Sequence, residues 1–112
     1  MSRITLHLAV AAILFSLATL AIPTSVRAQG DAEKIYKTNC VLCHGADGSG
    51  NSPSGKALKA KDLKSDEVQK VSDADLTTVI TNGRGKMPAF GKKLKPEDIA
   101  ALVAYIRAFA KK

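Results

Sequence analysis

Cys40-Val41-Leu42-Cys43-His44 is the segment of this chain whose residue types and spacing could do chemistry. Two cysteines three positions apart on a helical turn face the same side, so they can form thioethers to the two vinyl groups of one haem. His44 follows directly and presents its imidazole to the iron from that side. A bare C-x-x-C also serves as a thiol–disulfide pair or as half of a zinc site. The thiol–disulfide reading needs a preceding strand and a βαβ context, and no strand-like alternation precedes Cys40. A structural zinc site takes four ligands. Beyond Cys40, Cys43 and His44, the chain after residue 28 has no further Cys or His. Covalent haem attachment is the reading left.

The second axial ligand follows by elimination. Haem electron carriers use His/Met or His/His ligation. His7 lies in the N-terminal leader considered below, and Met87 is the one methionine after residue 28. Met87 sits 43 residues beyond His44, beside Pro88 and among Gly83, Gly85 and Gly91. Thioether ligation favours reduced iron and raises the potential. The plainer alternative makes Met87 a core residue beside a five-coordinate iron. Its uniqueness and its rigid setting favour ligation.

The first 28 residues read as an export signal. Arg3 is followed by an apolar run from Leu8 to Ile22, then Pro23 and Val26-Arg27-Ala28. Basic, apolar and small-x-Ala segments in that order suit signal peptidase, with cleavage expected after Ala28. The run is short for a retained anchor, which needs about 20 residues. Cleavage leaves residues 29–112 as a single domain. Arg3 and Arg27 are lost without any acid, so the net charge of +7 becomes +5. The expected location is the periplasm, with no stable membrane insertion.

A domain of this size seldom builds a sufficient core from side chains alone. Its aromatic residues are Tyr36, Phe90, Tyr105 and Phe109, with no Trp. A haem would supply the missing apolar body.

The positioning elements read as helices. Asp31 to about Leu42 places Ala32, Ile35 and Tyr36 on one face. Gly45 to Gly55, with four glycines and Pro53, reads as a loop. Ser65 to Lys70 suggests a short helix. Ser72 and Asp75 have capping-box spacing, Leu76, Val79 and Ile80 share a face, and Asn82-Gly83 ends that helix. Arg84 to Lys95 reads as irregular. Pro96 suits the first position of a last helix, with Glu97 and Asp98 in its first turn. Ile99, Leu102, Val103 and Ile106 form its apolar stripe.

These segments resemble the class I c-type cytochromes, closest to the small single-haem bacterial and algal types. The likeness lies in Ile35-Tyr36 before the motif, Cys43-His44-Gly45-Ala46-Asp47-Gly48-Ser49-Gly50, Gly85-Lys86-Met87-Pro88-Ala89-Phe90, and Ala104-Tyr105-Ile106-Arg107. It covers nearly all of the chain after the leader. It implies an all-α fold of three to five short helices wrapped around one covalent haem c. It also implies that the N- and C-terminal helices cross near Tyr36 and Tyr105. Where the family often has Gly, this chain has Ala32, which would widen the crossing slightly. The resemblance further implies that Pro53 offers its carbonyl to the second nitrogen of His44, although an ordinary loop proline would read the same way. The implied activity is electron transport rather than catalysis.

Two basic groups stand out: Lys56, Lys59, Lys61 and Lys64, then Arg84, Lys86, Lys92, Lys93 and Lys95 around Met87. Lysines commonly only solvate a surface. As a rim they would steer docking to an acidic redox partner. Gly50 to Ala57 approaches a phosphate-binding loop but contains Pro53, lacks the final Ser or Thr, and follows no strand. Aromatic–basic interleaving for nucleic acid is absent. The expected protein is a monomeric carrier that passes single electrons between partners of a respiratory or photosynthetic chain. The alternatives are a subunit of a dehydrogenase or oxidase complex, and a haem peroxidase or small-ligand sensor. The last would need an open iron site, for which Arg84 is a poor polar candidate.

Overall fold

The computed structural model describes residue 21 and residues 24–112. Arg3, Pro23 and all of the apolar run except Ala21 lie outside the described residues. The described part is all-α, with six helical segments: α1 Thr24–Asn39, α2 Val41–His44, α3 Pro53–Leu58, α4 Asp66–Gln69, α5 Asp73–Asn82 and α6 Pro96–Phe109. Six exceeds the expected three to five because α2 and α4 are single turns of 4 residues each.

Helix α1 starts at Thr24 rather than Asp31, so backbone helix runs through the expected cleavage point after Ala28. It ends at Asn39, and Cys40 then caps a separate turn carrying the rest of the haem motif. The glycine-rich segment is not loop throughout. Ser52 caps α3, its side chain accepting from Gly55 N–H, and Pro53 occupies the first turn. There the missing proline N–H leaves no helical bond unmade.

The other caps match their sequence signals. The Ser65 hydroxyl accepts from Val68 N–H and the Ser72 hydroxyl from Asp75 N–H. Asp98 Oδ2 accepts from Lys95 N–H at 3.1 Å at the start of α6. Such caps stabilise a helix end by about 1 kcal/mol.

Helices α1 and α6 pack on each other, and α6 also packs on α5. Tyr36, Tyr105 and Phe109 meet where α1 and α6 touch, with ring centroids 5.1 to 5.3 Å apart. Ala32 is 1 % exposed, so its methyl is accommodated inside the contact. The apolar stripe of α6 is buried as its periodicity requires: Ile99, Leu102, Val103, Ile106 and Phe109 all lie in the core. Among the described residues no polar or charged residue is buried.

Candidate haem site

Cys40, His44 and Met87 line one cleft of about 360 Å³, part of it open to solvent. Its remaining wall is Tyr36, Leu63, Ile80, Phe90, Leu94, Leu102 and Ile106. Residues from α1, the motif turn, the 59–65 segment, α5, the Met87 loop and α6 therefore converge on one apolar space. Concave, largely apolar sites with few polar groups are the usual form of a cofactor pocket.

Each functional side chain has a local reason for its place. The haem motif is held from three sides. His44 N–H bonds to Cys40 C=O at 2.9 Å, closing the turn. The Tyr36 hydroxyl donates to Gly45 C=O at 2.6 Å. The Ser52 hydroxyl sits 2.7 Å from Leu42 C=O and 3.1 Å from Cys43 C=O, donating to carbonyls that a four-residue helix leaves unpaired. Burial pushes the Cys40 thiol up to about 11, so it is not held as a thiolate. Burial also raises the Tyr36 phenol above its ordinary value, which keeps it a neutral donor.

His44 Nδ1 lies 2.9 Å from the carbonyl oxygen of Lys61. A carbonyl can only accept, so Nδ1 carries the proton and the Nε2 lone pair is left for a metal. That contact corrects the expectation for Pro53. Pro53 opens α3, whereas the 59–65 segment passes by the imidazole and supplies the acceptor.

Met87 stands in a tight turn. Arg84 N–H bonds to Met87 C=O at 3.1 Å and Met87 N–H to Arg84 C=O at 3.0 Å. The turn is tied to the end of α5 by Phe90 N–H to Ile80 C=O at 2.9 Å and Gly91 N–H to Thr81 C=O at 3.0 Å. Gly83 makes the close passage possible, with φ +74° and a Cβ position only 2.7 Å from Met87 C=O. The Arg84–Lys95 stretch is irregular as expected, yet firmly anchored.

These residues fit a haem. The walls are apolar, the cysteine spacing suits two thioethers, His44 is in the metal-binding tautomer, and a thioether from a second loop lines the same cleft. Among the described residues, no group of three or more His, Cys, Asp or Glu side chains is set to hold a metal ion. Two contributors were missed in the sequence. Ser52 carried a signal in the Ser-Pro pair, an N-cap followed by a first-turn proline. Lys61 carried none, because it acts through its backbone carbonyl.

The chain matches the family model described as cytochrome c oxidase, cbb3-type, subunit III over residues 27–106. It is 39% identical to cytochrome c6 of Microcystis aeruginosa over 82 residues, which covers 73% of this chain and 98% of that one. It is 31% identical to cytochrome c6 of Gloeothece citriformis over 117 residues, covering 100% of this chain and 98% of that one. Among solved structures, the c-type cytochrome KustC0563 superposes with a TM-score of 0.66 at 37% identity, covering 70% of this chain and 96% of that chain. With the Cys40–Cys43 pair, these likenesses give the chain a single covalent haem c. The chain belongs to the class I monohaem c-type cytochromes, in the group that holds cytochrome c6 and subunit III of cbb3-type oxidases.

Proposed function

We propose that this electron carrier is a periplasmic single-electron shuttle in which His44 and Met87 fill both axial positions of the haem iron. The observation that carries the proposal is the shared cleft, where His44 and Met87 line the same apolar space as Cys40. His44 and Met87 are also the sole His and Met among the described residues. When bound, the haem supplies a one-electron iron couple. The chain's own residues do the rest. Cys40 and Cys43 fix the group against loss, and Lys61 C=O orients the imidazole. The Arg84–Met87 turn presents the thioether, and the apolar walls exclude water. With His44 and Met87 both holding the iron, no substrate would reach the metal, which separates this reading from a peroxidase or ligand sensor.

Members of this family exchange electrons with redox proteins. We assign the docking surface to the basic residues. Lys56, Lys59, Lys61, Lys64, Arg84, Lys86, Lys92, Lys93 and Lys95 are all exposed. Among the described residues, only Lys61 of these nine forms an ion pair, with Glu67 at 2.7 Å. Unpaired cations leave a positive field that favours an acidic partner. The leader of residues 1–28 supports export and release. No helix among the described residues is long and apolar enough to cross a membrane.

A second reading, a subunit of a larger oxidase, is favoured by the match to subunit III of cbb3-type oxidases. Size and composition of the protein purified from its native membranes and periplasm separate the two. A carrier is recovered alone as a monomer, and a subunit is recovered with the oxidase. The experiment for the ligand set is the optical spectrum of the purified holoprotein. A six-coordinate low-spin form with the weak near-infrared band of iron–thioether bonding is expected. A high-spin ferrous form that binds carbon monoxide readily would point to the open-site reading.

A further inference from the structure

We infer that Gln69 is a positioning residue for the haem iron, acting through the Lys61 carbonyl that accepts from His44. The inference deepens the ligand reading above and rests on it. The Lys61 carbonyl lies in the 59–65 segment, which belongs to no helix or strand. Contacts on two sides of the segment therefore fix the acceptor that sets the imidazole.

On one side the segment lies against the glycine loop that follows the haem motif and against α3, whose C-terminal end it leaves. Leu63 N–H bonds to Gly48 C=O at 2.7 Å and Ala60 N–H to Gly55 C=O at 2.8 Å. A Cβ on Gly50 would stand 2.6 Å from Ala60 C=O and 3.3 Å from Lys61 C=O, so the two backbones touch. On the other side stands the Gln69 carboxamide. Its Nε2 donates to Leu63 C=O at 2.6 Å and to Ile106 C=O at 3.1 Å. Both amide protons are spent, one on the 59–65 segment and one on α6. Gln69 is held in turn by Arg107, whose guanidinium donates to Gln69 C=O at 2.9 Å.

The Leu63 peptide is thus clamped between Gly48 and Gln69, two residues from Lys61. Helix α6 is coupled through Gln69 to the atom that orients His44. A firm Nδ1–H···O=C bond makes the imidazole a stronger donor and favours oxidised iron. Slackening the clamp lets the Lys61 carbonyl withdraw, weakens that bond and raises the reduction potential.

The test uses the holoprotein. Gln69→Met keeps the side-chain length and removes both donors. Val68→Ala, next to it in α4, removes core packing without touching the clamp. In Gln69→Met the potential rises, and exchange of the His44 Nδ1 proton with solvent, read by NMR, speeds up about fivefold, as expected for the loss of one net hydrogen bond. In Val68→Ala both stay at the wild-type values. If Gln69→Met does not fold, Arg107→Lys loosens the same clamp from behind Gln69 and is read by the same two measurements. A potential and an exchange rate indistinguishable from those of Val68→Ala would overturn the inference. The wild-type optical spectrum keeps the two levels apart. If it lacks the His/Met signature, the ligand reading fails. If it has the signature and the clamp variant is silent, only the role of Gln69 fails.

Discussion

Arg84 and Met87 exchange two backbone hydrogen bonds, of 3.1 and 3.0 Å, each amide donating to the other residue's carbonyl. That reciprocal pair shapes the turn carrying the thioether, and its carbonyl at Met87 leaves room for nothing larger than hydrogen on Gly83. The placement of the Met87 side chain in the cleft thus rests on a backbone arrangement that a single methyl would disturb.

Gly83→Ala is the direct consequence. Gly83 has φ 74° and ψ 170°, a region nearly confined to glycine. Backbone strain there costs about 1–3 kcal/mol, and the contact with Met87 C=O adds to it. Chemical denaturation will show the loss of stability. The iron–thioether band should weaken at a lower denaturant concentration than in wild type, because the Met87 turn is the part displaced.

Arg107 offers a test of which polar contacts matter. Its guanidinium donates to Gln69 C=O at 2.9 Å, to Val71 C=O, and to Asp73 Oδ1 at 2.8 and 3.0 Å. The Arg107 side chain is 28% exposed, whereas that of Asp73 is 74% exposed. The carbonyl contacts are therefore better shielded than the ion pair. Arg107→Ala should destabilise the fold by about 2 kcal/mol, the range for charge-assisted hydrogen bonds. Asp73→Ala should cost less than about 1 kcal/mol, as exposed pairs do. Equal losses in thermal denaturation would contradict this division.

Asp47 gives a pH dependence of known sign. The Ser49 hydroxyl donates to its carboxylate at 2.7 Å and the Ser49 amide at 3.0 Å. The hydroxyl bond and then the amide bond hold its carboxyl below the ordinary 3.8. A depressed folded value means the stabilisation is complete above 3.8 and is lost as pH falls through the folded value. Asp47→Asn retains an accepting oxygen but cannot titrate. Stability measured from pH 5 downward should fall less steeply in Asp47→Asn than in wild type. The carboxyl is fully exposed, so the difference is small.

The basic surface predicts a salt response. Electron transfer to an acidic redox protein should slow as ionic strength rises from about 0.01 to 0.1 M, where the screening length shrinks from about 30 to 10 Å. The rate should also fall when Lys86 and Lys92 are replaced by Gln. A rate indifferent to salt would remove the steering role.

Much of the site was legible because its signals are local. The haem motif is a spacing within one turn, and the α5 and α6 boundaries are written in Ser72, Asn82-Gly83 and Pro96. Met87 was singled out by counting residue types, and it lines the same cleft as His44. Long-range features escaped for physical reasons. The His44 acceptor is a backbone carbonyl, and every residue has one, so the side chain of Lys61 gave no hint. Gln69 matters through contacts with Leu63 and Ile106, the latter 37 residues away. Helix α3 was hidden by the glycines around it, although Ser52-Pro53 is a good start signal. Helix α1 begins seven residues before Asp31, at Thr24, within the segment the sequence assigns to the leader.

The ligand pair remains the centre of the account, and the near-infrared spectrum of the oxidised holoprotein tests it most directly. Wild type should show the weak iron–thioether band. Met87→Ala should lose it, with a lowered reduction potential and a ferrous form that binds carbon monoxide. A band and potential unchanged by Met87→Ala would contradict ligation by Met87, and with it the closed-iron electron carrier.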